Sequence, residues 1–222
     1  MRFLLMDTCG SEGSVALADT EQSSAVIATE SLPGRSASER LLPAVRLLLG
    51  AVGWTLHELA AIVVVHGPGS FTGVRVGLSA AKGLSEAAGV PLIAVSRLAV
   101  LAAAAGRVEG EACAVLDAGR GEFYCGVYSG SRCVREALMT GEGVAAAAEK
   151  PVAVVACEVK VAEQLSGLHP LVVKEPTAAD ALPFALERFA AKEFDDTATL
   201  DANYLRRTDA EIFAKPVAKA TR

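Results

Sequence analysis

FLLMDTCGSEGSVAL, from Phe3, and AVLDAGRGEFYCGVY, from Ala114, follow one plan: an apolar strand ending in an aspartate, a glycine-containing turn, then a second strand. The aspartates are Asp7 and Asp117. The polar CGSEG between FLLMDT and SVALAD signals a hairpin, and SAVIATES adds a third antiparallel strand. A hairpin placed ahead of strand–helix units excludes the repeating βαβ order of a dinucleotide-binding sheet. The plan requires a mixed sheet, and it occurs twice.

This order suits an α/β sandwich of the RNase H type. RSASERLLPAVRLLLGAV has helical spacing, with Leu41, Leu42, Val45, Leu48, Leu49 and Val52 on one face. Ser36 and Glu39 are spaced as a capping box, and Pro43 is expected to kink the helix. AAIVVV predicts a buried strand. Ser96 to Arg107, containing the apolar run LAVLAAAA, predicts a buried helix joining the halves. PVAVVAC then reads as a strand, TAADALPFALERFAAK as a helix, and DANYLRRTDAEIFAKP as an irregular tail. The expected lobes are 1–106 and a smaller 107–222.

The 222 residues, 52% hydrophobic and 21% charged, suffice for two small cores and exclude a disordered chain. No apolar run approaches the roughly 18–20 residues of a membrane span, and the N-terminal run is too brief for a signal h-region. Cys9, Cys113, Cys125, Cys133 and Cys157 form an odd set without a CxxC pair, which predicts reduced thiols in the cytoplasm, with no zinc site. A formal net charge of -5 argues against this chain gripping nucleic acid by itself.

HGPGSFTGVRVGLSAAKGL, from His66, is a glycine-rich turn opening a helix. Gly67, Gly69 and Gly73 give GxGxxxG, one residue longer than the dinucleotide fingerprint, and the acidic residue expected about 20 positions on is absent. A Walker A loop ends in Gly-Lys-Ser/Thr, whereas Val74 and Arg75 follow Gly73. A helix N-terminus still attracts anions, so phosphate binding and close packing both stay open. Ser70, Gly73, Gly77, Ala80 and Leu84 form a small-residue stripe; Phe71, Val74, Leu78 and Ala81 form an apolar one. An interior glycine costs about 1 kcal/mol relative to alanine, so two in one stripe imply a close backbone neighbour. Either the helix is sandwiched in its own domain, or one stripe meets a partner. Ala44, Leu47 and Ala51 of the preceding helix show a similar surplus.

His57, His66 and His169 make no metal-binding pair, and Cys9 and Ser70 lack a local signature of a paired base. Asp7 suits either a hydrated metal or a side-chain-fixed turn.

MDTCGSEGSVAL, SERLLP, HGPGSFTGVRVGLSAAKGL, VPLIAVSRL, LDAGRGEFYCGVY and YLRR together, in this order, resemble the TsaB (YeaZ) family of bacterial tRNA threonylcarbamoyladenosine biosynthesis proteins. The resemblance implies two RNase H-like lobes of the actin-like (ASKHA) superfamily. It implies a non-catalytic subunit, without cofactor, that binds the homologous transferase TsaD and works with the ATPase TsaE. TsaD transfers threonylcarbamoyl to N6 of the adenosine 3′ of the anticodon, and tRNA is met only through the complex. A homodimer in the absence of TsaD stays open. The transferase's HxxxH metal pair is missing, with Ala37 where many members keep a histidine, and Asp7 and Thr8 resemble a vestigial phosphate loop. The first long helix and the glycine-led helix would form the partner contact. Leu47, Phe71, Gly73, Val74, Gly77, Leu78 and Ala81 are the expected interface residues, Gly73 and Gly77 permitting close approach. The competing class is a free-standing actin-like ATPase or small-molecule kinase using Asp7 and Asp117.

Overall fold

In a computed structural model, residues 1–106, 110–149 and 152–205 are described. The first sheet contains β1 (Arg2–Asp7), β2 (Gly13–Asp19), β3 (Val26–Leu32), β4 (Ala61–Val65) and β5 (Leu92–Val95), in the order β3-β2-β1-β4-β5. The β1–β2 and β2–β3 pairs are antiparallel, and the β1–β4 and β4–β5 pairs parallel. The second sheet contains β6 (Glu111–Gly119), β7 (Glu122–Ser129), β8 (Arg132–Thr140), β9 (Val152–Ala156) and β10 (Leu171–Val172). Its order, β8-β7-β6-β9-β10, carries the same directions. The internal echo is therefore a repeat of topology, and the fold is the two-lobed RNase H-like, actin-like class expected.

Helices α1 (Ala37–Val52) and α2 (Phe71–Ala88) pack on β2, β3 and β4. Helix α6 (Leu182–Ala190) and the 3-10 turn before it (Ala178–Ala181) pack on β1, β2, β4 and β5. With both faces covered, FLLM and AIVVV are buried throughout rather than at alternate positions. In the second sheet the period is two: Cys113, Val115 and Cys125 join one core, where α4 (Gly141–Ala147) and α5 (Val159–Gln164) contribute Val144 and Val161. Ala112, Ala114 and Leu116 join another, against α3 (Arg97–Ala103).

Several expectations are corrected. The first lobe is not the continuous segment 1–106, because Ala178, Ala181, Leu182, Ala185 and Ala202 lie in its core. Among the described residues, the strands of the second sheet all lie between Glu111 and Val172. The joining helix stops at Ala103, short of Arg107, which lies outside the described residues. Ser36 forms no capping box; its hydroxyl donates to Pro33 O at 2.7 Å, and α1 runs on through Pro43. Leu42, placed by spacing on the buried face of α1, is 54% exposed, while Ala44 is buried.

Candidate functional site

The strands β1 and β6 end alike. Asp7 Oδ1 accepts the Cys9 N–H at 2.8 Å, and Asp117 Oδ1 accepts the Gly119 N–H at 2.7 Å. Each aspartate fixes the turn after its strand. Their surroundings differ. Burial pushes the Asp7 carboxyl above 3.8, opposed by the Arg97 charge and the Cys9 N–H. Asp117 is held below 3.8 by Lys160, whose Nζ donates to Oδ2 at 2.8 Å, and by the Gly119 N–H. Both carboxylates have a cation of this chain beside them. The Cys9 thiol donates to Val65 O at 3.1 Å and is pushed well above 9.0 by burial and by Asp7, which favours its protonated form at neutral pH.

The glycine-led loop packs on this turn. The Ser70 N–H donates to Cys9 O at 2.9 Å, and Thr8 Oγ1 donates to Gly73 O at 2.6 Å. Ser70 Oγ caps α2 by accepting the Gly73 N–H at 3.3 Å. A Cβ at Gly69 would collide with Cys9 O, one at Gly73 with Thr8 O, and one at Gly77 with Thr8 Oγ1. The close neighbour of the glycine stripe is thus the chain's own Thr8–Cys9 turn. This corrects the expectation that Gly73 and Gly77 admit a partner. Of the apolar stripe, Val74, Leu78 and Ala81 lie in the first lobe's core, and Phe71 alone is exposed.

Two outward features remain. Along α1, Leu42, Pro43, Arg46, Leu47, Gly50 and Ala51 line a shallow depression of about 670 Å³, with Leu47 61% exposed. At the first turn of α2, Phe71 is 52% exposed and stacks with Tyr204, ring centroids 5.9 Å apart. The Arg75 guanidinium lies 3.8 Å from the Phe71 ring centroid, and its Nε donates to Tyr204 OH at 2.7 Å. Tyr204 opens the YLRR stretch; Arg206 and Arg207 lie outside the described residues. Sequence spacing puts Leu42 on the buried face of α1, and Tyr204 and Arg97 are met in the sequence only within the family motifs, with no site role. Arg97 pairs with Glu175, 78 positions away, which no local pattern could signal.

Among the described residues no group of three or more His, Cys, Asp or Glu could hold a metal, and no helix is long and apolar enough to cross a membrane. His57 and His66 each turn Nδ1 to a backbone carbonyl, of Ala88 and Val95.

A family model described as TsaD, tRNA N6-adenosine threonylcarbamoyltransferase, matches residues 31–139. The tRNA threonylcarbamoyladenosine biosynthesis protein TsaB of Bacillus subtilis is 38% identical over 48% of this chain and 47% of that protein. The protein of the same name from Escherichia coli is 39% identical over 58% of this chain and 55% of that one. The match thus spans about half the length of these curated relatives. The crystal structure of an uncharacterized Pseudomonas aeruginosa protein with similarity to peptidase YEAZ is 30% identical, has a TM-score of 0.77, and is matched over 92% of this chain and 99% of that one. The chain belongs to the TsaB (YeaZ) family. The motifs that carry the TsaB resemblance converge in space: MDTCGSEGSVAL supplies the Thr8–Cys9 turn, HGPGSFTGVRVGLSAAKGL the helix seated on it, and YLRR the Tyr204 ring beside Phe71.

Proposed function

We propose that this chain is a non-catalytic docking subunit for a TsaD-type threonylcarbamoyltransferase, required for threonylcarbamoyladenosine formation in tRNA. The carrying observation is the outward side of α1, where Leu42, Pro43, Leu47 and Ala51 leave apolar surface that none of the described residues covers. Leu47 and Phe71 remain as interface residues from the sequence expectation. The family-model match to residues 31–139 supports this reading, because it includes both α1 and α2. A transferase of that family would then carry a similar helix pair to set against this one. Asp7 and Asp117, which an ATPase or kinase would use, instead fix turns beside Arg97 and Lys160. In this reading TsaE joins the same complex, and TsaD supplies the surface for tRNA, since this chain's net charge is -5.

The test is Leu47→Arg. An exposed substitution changes stability by about 0.5 kcal/mol or less, whereas an unpaired charge buried in an interface costs several kcal/mol. The variant is expected to melt with wild type yet lose capture by the transferase and support of tRNA modification. Wild-type capture by the folded variant would remove this face from the interface. Size measurement of the chain alone checks the other occupant, a second copy on the same face.

A further inference from the structure

Arg97 opens α3 with only 5% of its surface exposed. Burial works against its charge, while the carboxylates of Asp7 and Glu175 favour it. Its Nη2 donates to Glu175 Oε1 at 2.7 Å. The same carboxylate accepts the Ser11 N–H at 3.2 Å on Oε1 and the Ser11 hydroxyl at 2.8 Å on Oε2. Glu175 belongs to the link between β10 and the turn that returns the chain to the first sheet. Gly10 lies so close beneath it that a Cβ would collide with Oε1. One carboxylate thus grips both the 9–11 loop and the head of α3.

That loop is the seat of α2. Cys9 O accepts the Ser70 N–H, Thr8 Oγ1 holds Gly73 O, and the Arg97 N–H itself donates to Gly67 O at 2.8 Å. The Arg97 side chain therefore meets the Glu175 link beside Gly10, its backbone N–H holds Gly67, and the 8–11 loop in turn seats the first turn of α2, which carries Phe71 and Arg75. Arg97 is buried while the Glu175 side chain is 34% exposed, so removing the carboxylate leaves a buried guanidinium with less to compensate its charge.

We propose that Arg97 and Glu175 are positioning residues for the docking face: by clamping the 8–11 loop they fix the first turn of α2 and so the aim of Phe71 and Arg75. This rests on the docking reading above and acts on that face from behind, without touching the partner. A second tie lies at the N-cap of α3, where Glu136 accepts bonds from Ser96 Oγ at 2.5 Å, Asn203 Nδ2 at 2.6 Å and Tyr128 OH. It does not reach the 8–11 loop and so serves as the control.

The experiment compares Glu175→Gln with wild type by amide hydrogen exchange and by titration against the purified transferase. Exchange at residues 8–12 and 70–74 is expected to rise about tenfold, with β6 and β9 unchanged, and transferase affinity to fall about tenfold. A second variant, Arg97→Met with Glu175→Leu, removes both charges and gives the same loop result if the single substitution misfolds. Glu136→Gln, whose partner Asn203 precedes the Tyr204 that packs on Phe71, serves as the control for segment 8–12 alone and should leave it at wild-type exchange. Unchanged exchange at 8–12 and 70–74 in both clamp variants overturns the clamp. Raised exchange with undiminished affinity overturns its role in positioning. Leu47→Arg separates the two readings: if it binds as wild type does, the docking face fails, whatever the exchange data show.

Discussion

Asp7 and Asp117 hold equivalent places in the repeat, yet folding moves them in opposite directions. Asp7 is buried and its folded pKa lies above 3.8. The native state then binds more protons than the unfolded one between 3.8 and that folded value, so this group's contribution to stability falls as pH rises through the window. Asp117 is paired with Lys160 and lies below 3.8. Its contribution is present above 3.8 and is lost as pH falls through its folded value, and because Lys160 is exposed, solvent screening keeps that contribution small. Carboxyl carbon titration by NMR should place the two on opposite sides of 3.8. Finding both on one side would contradict the environments described for them.

Each of the helices α1 and α2 has apolar residues on more sides than one face can bury, and the packing decides between them. Leu78 is 6% exposed and packs in the core, while Leu47 points out. Leu78→Arg should therefore act as a stability mutation. An unpaired charge in that core costs about 3 kcal/mol or more, which lowers Tm by roughly 6–12 °C at about 2–4 °C per kcal/mol for a chain of this size. Thermal unfolding beside Leu47→Arg checks the assignment. A Leu78→Arg protein that melts with wild type would place that side chain at the surface. The glycines of α2 follow the same division: Gly73 and Gly77 lack Cβ atoms because Thr8 lies against them, whereas Gly83 has open space and its place in the helix has no account in the packing.

At the scale of the molecule, the chain leaves the first sheet, builds the second, and returns to finish the first. The turn at Ala178–Ala181 and helix α6 cover β1, β2, β4 and β5, and Phe189 meets Phe3 edge to face at 5.5 Å between ring centroids. The Arg188 guanidinium donates to Ala94 O at 2.7 Å and to Asp195 Oδ2 at 2.9 Å, fastening the return segment to the end of β5. A fragment ending at residue 106 would leave one face of that sheet in water. It is expected to show no cooperative thermal transition and to bind a hydrophobic dye, whereas adding back residues 174–205 as a separate peptide should restore protection of β1 and β4 amides. A well-dispersed NMR spectrum from the 1–106 fragment alone would show that the return segment is dispensable.

The sequence by itself determined the elements whose signal is local. FLLMD, SVALAD and AIVVV are strands because short apolar runs bounded by turn residues, β-branched in AIVVV, have few alternatives. The repeat of strand, aspartate and turn fixed both hairpins and the matching topology of the two sheets, and the motif set identified the family. Strand β8, RCVREALMT, was not legible, because an edge strand exposed over Arg132 to Arg135 offers little apolar alternation to read. Tertiary structure alone decided which side of each helix is buried, since a wheel gives the angle between Leu47 and Leu48 but not the direction of the sheet. It alone assigned the α2 glycines to Thr8 and the return segment to the first lobe. It also brought Glu175 to Arg97, because a contact between residues 78 positions apart leaves no periodic trace in the chain.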